Sequence, residues 1–322
     1  MSTDNAPLLM HAVHQIDYGD RNVLKLVEVE RPEPGPGQVL VRVRASGVNP
    51  GDCKIRTGTD GHRLFQPPFT PGMDLAGTVE GTGDGVTGFA PGDRVYGMVF
   101  PPNGAHAQYA LASADTLAHV PEGVDLVQAG ALATAGLTAW QALVNTAQLA
   151  PGQRVLVHAA GGGVGHLAVQ IAKAHGAHVI GTARAEKHSF LRELGADQVI
   201  DYTRVDFAKA IRDGVDVVLD PLGGAYGPRS LTLLAPGGSY VNVRQPNPGG
   251  EETRTQAHVL GIRFTDVFVS PNTADLTQMA ALAATGQLRV AVEKRLPLRE
   301  VAKAHELVET GRVRGKIALI PS

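Results

Sequence analysis

Several features are scarce in this sequence, and each shortage excludes a class of structure. Cys53 is the one cysteine among 322 residues, so neither an internal disulfide nor a zinc site of four cysteines can form. No run of 18 apolar residues occurs, which excludes a membrane-spanning helix of ordinary length. The first 20 residues have no basic start followed by an apolar run, so we expect no signal peptide.

An excess of one charge is also missing. The formal net charge is −2, and no basic surface for nucleic acid or for a membrane is indicated. We therefore expect a soluble, cytoplasmic protein whose partner is a small-molecule substrate. The length favours two domains.

What the sequence does contain divides it into three parts. Residues 1–124 are typical of a β-rich domain, because the strand VLVRVRAS at 39–46 alternates apolar and polar residues and Pro-Gly turns follow closely. From Asp125, a candidate N-cap, a helical pattern runs to residue 147. Strands and helices then alternate, which predicts a doubly wound parallel sheet over 125–286. Residues 287–322 are expected to return to the first domain.

A glycine-rich turn lies between the first strand and first helix of the predicted sheet. It contains Gly161, Gly162, Gly163, Val164 and Gly165 in the stretch VLVHAAGGGVGHLAVQIAKAHGAHVIGTAR at 155–184. Glycines let the backbone turn tightly and let a pyrophosphate approach the helix N-terminus. Ala160 replaces the first glycine of the usual dinucleotide motif, so a purely structural turn is the alternative. The strand before and the helix after favour a cofactor site.

The end of the second strand indicates which dinucleotide binds. NAD sites place an acid there to accept from the ribose 2′-OH, whereas this chain has Thr182, Ala183 and Arg184, with Lys187 nearby. A guanidinium can hold a 2′-phosphate through two hydrogen bonds. We therefore predict NADPH, although Glu186 argues against it and Arg184 could be an ordinary surface charge.

The order of motifs resembles a known family. The matching segments are GVNPGDCKIRTG (47–58), PGMDLAGTVEGTG (71–83), GDRVYG (92–97), ATAGLTAW (133–140), AAGGGVG (159–165), GADQVIDY (195–202), LDPLGG (219–224) and GKIALIP (315–321). Together they resemble the medium-chain dehydrogenase/reductase superfamily, and within it the zinc-free quinone oxidoreductase branch related to ζ-crystallin and to alkenal and enone oxidoreductases. The resemblance covers nearly the whole chain and implies an α/β fold: a Rossmann sheet plus a GroES-like β-rich catalytic domain.

The departures from the zinc-dependent members concern the metal ligands. Those members carry a cysteine near Asn49 and a His-Glu pair where this chain has Met73 and Asp74. Neither asparagine nor methionine is a plausible Zn²⁺ ligand, so we expect no metal. Without a Lewis acid, alcohol oxidation is disfavoured. Reduction of a quinone, or of the C=C of an α,β-unsaturated carbonyl compound, is favoured instead.

The resemblance implies catalytic candidates in NPGDCK: Asn49, Asp52 and Lys54. Quinone oxidoreductases often have a tyrosine shortly after the asparagine, but this chain has Pro50. Lys54 is the best electrostatic candidate, because an ammonium could stabilise charge on a carbonyl oxygen as hydride arrives. A solvated surface charge is the alternative for Lys54, and a turn-closing hydrogen bond is the alternative for Asp52.

The remaining positional matches concern the cofactor and the oligomer. They place Thr138 and the pair Leu222–Gly223 near the nicotinamide part, and Tyr202 near the adenosine part. Gln245 and Phe268 are weaker candidates, because they end later strands of an open sheet. An apolar edge strand at 262–269 is expected to pair with a second copy. A non-catalytic NADPH-binding protein is the alternative function. A short-chain dehydrogenase is excluded, because no tyrosine precedes a lysine by four residues.

Overall fold

The computed structural model describes residues 7–59, 61 and 63–321. Residues 1–6, part of the segment expected to contain no signal peptide, lie outside this range. Among the described residues the strands are β1 (Leu9–Gln15), β2 (Leu24–Glu30), β3 (Gln38–Val48), β4 (Asp74–Thr82), β5 (Arg94–Met98), β6 (Tyr109–Ser113), β7 (Leu117–His119), β8 (Arg154–Val157), β9 (His178–Thr182), β10 (Gln198–Ile200), β11 (Val215–Asp220), β12 (Leu234–Asn242), β13 (Arg263–Asp266), β14 (Val292–Pro297) and β15 (Lys316–Ile320).

The helices are α1 (Pro50–Thr57), α2 (Leu126–Ala129), α3 (Ala133–Trp140), α4 (Gly165–Ala174), α5 (His188–Glu193), α6 (Phe207–Ala210), α7 (Tyr226–Leu231), α8 (Gly250–Val259), α9 (Thr273–Ala284) and α10 (Val301–Glu309). No helix in the described part of the chain combines the length and the apolar character needed to cross a membrane.

The chain forms two compact units. The first comprises Met1–Thr134, Pro271–Ala284 and Val292–Ser322, and the second comprises Ala135–Ser270 and Thr285–Ala291. The predicted fold class, a Rossmann sheet plus a GroES-like β-rich domain, is confirmed.

The first unit is built around a mostly antiparallel sheet. Its strands follow the order β14-β15-β3-β4-β5-β7, and β6 pairs with β3. The alternation predicted for 39–46 is present in β3, where Val39, Val41 and Val43 are buried in one apolar core. The closing strand β15 pairs antiparallel with β3, with Ala318 opposite Gly47.

The second unit contains the parallel sheet that the alternating pattern predicts. Its order is β10-β9-β8-β11-β12-β13, and every described pair in it is parallel. Leu156, Ile180 and Val218 come from three adjacent strands and are fully buried in one core. Parallel strands are covered on both faces, which explains their nearly continuous apolar sequences.

The division between the units differs from the predicted boundaries at 124/125 and 286/287. Residues 125–134 and 271–284 belong to the first unit. In α9 the carbonyl of Leu276 accepts a hydrogen bond of 2.6 Å from the buried Tyr96 hydroxyl of β5. This contact ties the helix to the β-rich sheet, and sequence periodicity gives no information about such a distant partner.

One predicted helix is interrupted. The pattern from Asp125 predicts a single helix to 147, and the Asp125 side chain does accept from the Val127 amide at the start of α2. The chain then leaves the helix at Gly130, where an added Cβ would lie 2.5 Å from the Ala45 carbonyl oxygen of β3. The close approach to β3 requires glycine at this position, and α3 begins only at Ala133. A π-helical segment, Gln141–Thr146, follows α3.

Candidate cofactor and active site

Most of the predicted cofactor residues lie at one edge of the parallel sheet. Because the carboxyl ends of parallel strands meet at the same edge, residues that follow different strands are brought together. The residues that follow strands β8 to β13 in this way are Gly161, Gly162, Gly163, Val164, Gly165, Ala183, Arg184, Lys187, Tyr202, Leu222, Gly223, Gln245 and Phe268. Two predicted residues are exceptions: Thr138 lies on α3 and is buried, and Thr182 is the last residue of β9 itself.

The glycine turn after β8 is tightly wound. Ala159 has a positive φ of 47°, and its carbonyl accepts a 2.9 Å hydrogen bond from the Gly162 amide. An added Cβ on Gly165 would lie 2.4 Å from the Ala159 oxygen, so only glycine lets α4 begin this close to the strand. The turn therefore directs the N-terminus of a ten-residue helix toward the sheet edge. That arrangement fits a pyrophosphate.

The basic residues after β9 fit a 2′-phosphate. Arg184 is exposed, and no ion pair among the described residues includes it. The Lys187 ammonium lies 3.4 Å from the Gly161 carbonyl oxygen, and an added Cβ on Gly161 would lie 2.6 Å from Lys187 Cδ. The lysine stem thus lies over the glycine turn, on the side of Arg184.

Thr182 faces the interior. It is fully buried, and its hydroxyl is 3.1 Å from His158 Nδ1, while His158 Nε2 is 2.8 Å from the Ser230 hydroxyl. Burial lowers the pKa of His158 to about 4, so the ring is neutral and joins β8, β9 and α7. Sequence reasoning missed His158, although its place at the end of a buried strand was a usable signal.

The loop after β11 is shaped by an aspartate that sequence reasoning also missed. The buried Asp220 carboxylate accepts from the amides of Leu222 and Gly223 at 2.7 and 3.1 Å, and from the Tyr240 hydroxyl. Gly223 has φ of 65°, and an added Cβ would lie 2.3 Å from Asn247 Oδ1. The signal was present in LDPLGG, where an acid two and three residues ahead of backbone donors is typical of a side-chain-closed turn.

The outermost candidates are less enclosed. Tyr202, after β10, and Phe268, after β13, are 38% and 71% exposed. Gln245 follows β12 and is partly buried. Strand β13 is at the edge of the sheet, where Phe264 packs under the Arg254 guanidinium at 4.6 Å from the ring centre.

In the first unit, α1 carries the three catalytic candidates but separates them. Asn49 immediately precedes the helix, and its backbone N–H donates a hydrogen bond of 2.7 Å to Asp52 Oδ2. Asp52 is therefore part of the helix cap, which is the structural role considered for it. Lys54 is two residues further, and residues two apart point to different sides of a helix. It is partly exposed, whereas Asp52 and Asn49 are buried.

A buried ion pair holds the Asn49 side chain. Asn49 Nδ2 donates to Asp74 Oδ2 at 3.1 Å, and Asn49 Oδ1 accepts from the Lys316 ammonium. Lys316 is itself 3.2 Å from Asp74 Oδ2, and both side chains are almost fully buried. Asp74 also accepts from the Thr134 amide at 2.7 Å. The nitrogen and the oxygen of the Asn49 side-chain amide are thus both held by charged groups. One of these groups, Lys316, lies 267 residues away in sequence.

Other titratable groups are buried beside this pair. Desolvation raises the pKa of Asp52 to about 7, and the Asp74 charge adds to the effect. Desolvation also lowers the pKa of His106 to about 4 and that of His305 well below its usual value. The two rings are 6.2 Å apart, and their four nitrogens have no hydrogen-bond partner among the described residues. In the same range, no group of three or more His, Cys, Asp or Glu side chains could hold a metal ion.

Comparison with known proteins gives matches over nearly the whole chain. The description "Alcohol dehydrogenase GroES-like domain" matches residues 35–122, and "Zinc-binding dehydrogenase" matches residues 194–319. The quinone oxidoreductase of Sus scrofa is 35% identical, covering 97% of this chain and 98% of its own. A 2-haloacrylate reductase from Burkholderia sp. is 36% identical, covering 91% and 94%.

Solved structures agree with these sequence matches. The quinone oxidoreductase from Coxiella burnetii has a TM-score of 0.90 at 37% identity, covering 97% of this chain and 99% of that one. The Escherichia coli quinone oxidoreductase complexed with NADPH has a TM-score of 0.84 at 30% identity, covering 97% and 100%.

Proposed function

Because the chain belongs to the medium-chain dehydrogenase/reductase family, we propose that it is an NADPH-dependent reductase of quinones or of the C=C of α,β-unsaturated carbonyl compounds. The observation that carries this proposal is the sheet edge of the second unit. There a glycine turn and a helix N-terminus lie beside Arg184 and Lys187. This set of groups matches a pyrophosphate and a 2′-phosphate.

The relatives support the same chemistry. One is named a quinone oxidoreductase and one a 2-haloacrylate reductase, and a solved quinone oxidoreductase is described as complexed with NADPH. NADPH, when bound, supplies a hydride to an electron-poor carbon. The protein's part is to bind the phosphates, to orient the acceptor and to stabilise the charge that develops on an acceptor oxygen.

We assign the cofactor contacts and catalytic groups as follows. The glycine turn holds the pyrophosphate, and Arg184 with Lys187 holds the 2′-phosphate. Lys54 is the group that stabilises negative charge on the acceptor oxygen. Asn49 and Asp52 are assigned a structural role, because both polar side-chain atoms of Asn49 and one carboxylate oxygen of Asp52 are engaged in the buried contacts described above. Their contribution is to hold α1 in place.

The proposed reaction uses no zinc. Asn49 and Asp74 both bind the Lys316 ammonium, so the positive charge between these two side chains comes from the chain itself. Met73 stands where zinc-dependent relatives have a histidine, and a thioether is a poor Zn²⁺ ligand. Hydride transfer to a quinone or an activated C=C does not require an alcohol to be deprotonated, which is the step that zinc assists. We further propose a homodimer formed through β13.

The test is an assay of NADPH and NADH oxidation by the purified protein. The acceptors are 1,4-benzoquinone, 9,10-phenanthrenequinone, a short enal and a cyclic enone. We expect turnover with at least one acceptor and a kcat/KM for NADPH roughly 10- to 100-fold above that for NADH, the range of one or two charge-assisted phosphate contacts.

Two results would contradict the proposal. A preference for NADH would contradict the assignment of Arg184 and Lys187 to the 2′-phosphate of NADPH. NADPH binding without turnover of any acceptor would favour the non-catalytic alternative. Added EDTA is the control for zinc, and activity that falls with EDTA and returns with Zn²⁺ would contradict the zinc-free reaction.

A further inference from the structure

We propose that Arg244 binds a carboxylate of the substrate, so that the reductase acts on α,β-unsaturated acids. This inference rests on the proposed function and names its substrate class. It starts from the position of Arg244, two residues beyond the end of β12, at the sheet edge that holds the predicted cofactor residues.

The sheet order separates Arg244 from the phosphate-binding residues. In the order β10-β9-β8-β11-β12-β13, the glycine turn follows β8 and Arg184 follows β9. Arg244 follows β12, which is two strands from β8 on the opposite side, or roughly 10 Å at the usual strand spacing. A dinucleotide whose 2′-phosphate lies at β9 extends its nicotinamide half toward β11 and β12.

The Arg244 guanidinium lacks a partner within the described chain. Its Nε is buried without a hydrogen-bond partner, and it belongs to none of the ion pairs. The acids on the neighbouring strands are already engaged: Asp220 by two amides and Tyr240, and Asp266 by Asn242 and Arg254. A buried donor without an acceptor is costly, and a bound anion would satisfy it.

The backbone around Arg244 is held in place. Asn242 Nδ2 donates to the Arg244 carbonyl at 2.9 Å, and Asn242 Oδ1 accepts from the Arg244 amide at 3.3 Å. The stem rests on the loop after β11, where Arg244 Cδ is 3.3 Å from the position of a Cβ on Gly223. The stem of Arg244 thereby lies against the loop assigned to the nicotinamide half, and its Nε is buried there.

The positive charge of Arg244 indicates an anionic group on the substrate rather than on the cofactor. The nicotinamide ring carries no negative charge, and it becomes cationic when oxidised, so an arginine beside it serves no cofactor phosphate. A carboxylate can accept two parallel hydrogen bonds from a guanidinium. In the reaction the β-carbon takes the hydride from NADPH and the α-carbon takes a proton from water, giving NADP⁺ and the saturated acid. Neutralising the carboxylate makes the C=C a better hydride acceptor.

The experiment compares an α,β-unsaturated acid with its methyl ester and with 1,4-benzoquinone. Wild type, Arg244→Gln and Arg244→Lys are assayed, and Arg212→Gln, an exposed arginine of the same unit, is the control. We expect wild type to prefer the acid over the ester by tenfold or more in kcat/KM. Arg244→Gln should lower kcat/KM for the acid about 100-fold and change the values for ester and quinone less than threefold. Arg244→Lys should fall between.

A binding measurement separates this inference from the proposed function. The saturated acid is titrated calorimetrically into the NADP⁺-loaded protein, and its affinity should fall in Arg244→Gln while NADPH affinity is unchanged. If the protein reduces quinone but has equal kcat/KM for the acid and the ester, the assignment of Arg244 is overturned while the proposed function stands. Weaker NADPH binding in Arg244→Gln would also overturn it, because that result would assign the residue to the cofactor. Arg244-dependent binding of the acid without turnover of any acceptor would overturn the proposed function and leave the anion site.

Discussion

At the scale of single residues, the charged side chains differ in whether they have a partner inside the protein. Arg184 and Arg244 follow strands on opposite sides of the glycine turn, and neither forms an ion pair among the residues that the structure describes. Lys316, by contrast, is buried and satisfied by Asn49 and Asp74. An arginine without an acid partner is available to an anionic ligand, whereas the charge of a buried lysine between two acceptors is compensated within the fold.

Arg184→Ser tests the choice of dinucleotide. Serine removes the guanidinium and leaves a small polar group that tolerates a ribose 2′-OH. We expect kcat/KM with NADPH to fall roughly 10- to 100-fold, as for the loss of charge-assisted hydrogen bonds, and kcat/KM with NADH to change little. Steady-state kinetics with both cofactors measure the ratio. Arg212→Ser is the control, and an unchanged ratio in Arg184→Ser would contradict the assignment.

At the scale of elements, helix α1 shows how one cap residue couples the fold to pH. Asp52 accepts from the Asn49 amide while its second oxygen, Oδ1, is buried without a partner. Desolvation raises its pKa from 3.8 to about 7. The folded state therefore binds a proton more tightly than the unfolded chain does.

The sign of the pH effect follows from this shift. Protonation of Asp52 stabilises the folded state fully below pH 3.8, and this contribution is lost as the pH rises through about 7. In Asp52→Asn the new side-chain carbonyl would still accept from the Asn49 amide but could not ionise. Between pH 4.5 and pH 8 the free energy of unfolding of the variant should therefore rise relative to wild type by roughly 3 kcal/mol, since about 2.5 pH units separate pH 4.5 from the folded-state pKa of about 7.

Urea unfolding at the two pH values measures this difference. Glu122→Gln, which neutralises an exposed acid of the same unit, is the control and should show no comparable pH dependence. A parallel change in wild type and Asp52→Asn between pH 4.5 and 8 would show that Asp52 keeps an ordinary pKa.

At the scale of the whole molecule, β13 leaves the parallel sheet with an open edge. An unpaired edge next to apolar side chains favours association with another strand. Phe268, just beyond β13, and Val259, at the end of α8, are among the most exposed large apolar residues in the described range. These features support the proposed dimer.

Sedimentation equilibrium tests this proposal directly. We expect a mass of twice 33.7 kDa, and we expect Phe268→Asp to weaken association at least tenfold, because a charge at an apolar contact must be desolvated. Leu8→Asp changes an equally apolar, exposed position in the other unit and should leave the mass unchanged. A monomeric wild-type protein would remove β13 as an interface.

The sequence by itself determined whatever depends on local pattern. The glycine turn after β8, the alternation of strands and helices, and the absence of an acid at the end of β9 can each be seen in short stretches of sequence, because hydrophobic periodicity and turn chemistry act over short distances. Only the tertiary structure decided which distant groups meet. Lys316 reaches Asn49 because β15 pairs with β3, and position 130 must be glycine because Ala45 leaves no room for a side chain where α2 ends. The tertiary structure also places Arg244 beside the predicted cofactor residues, since a parallel sheet brings the ends of strands that are far apart in sequence to one edge.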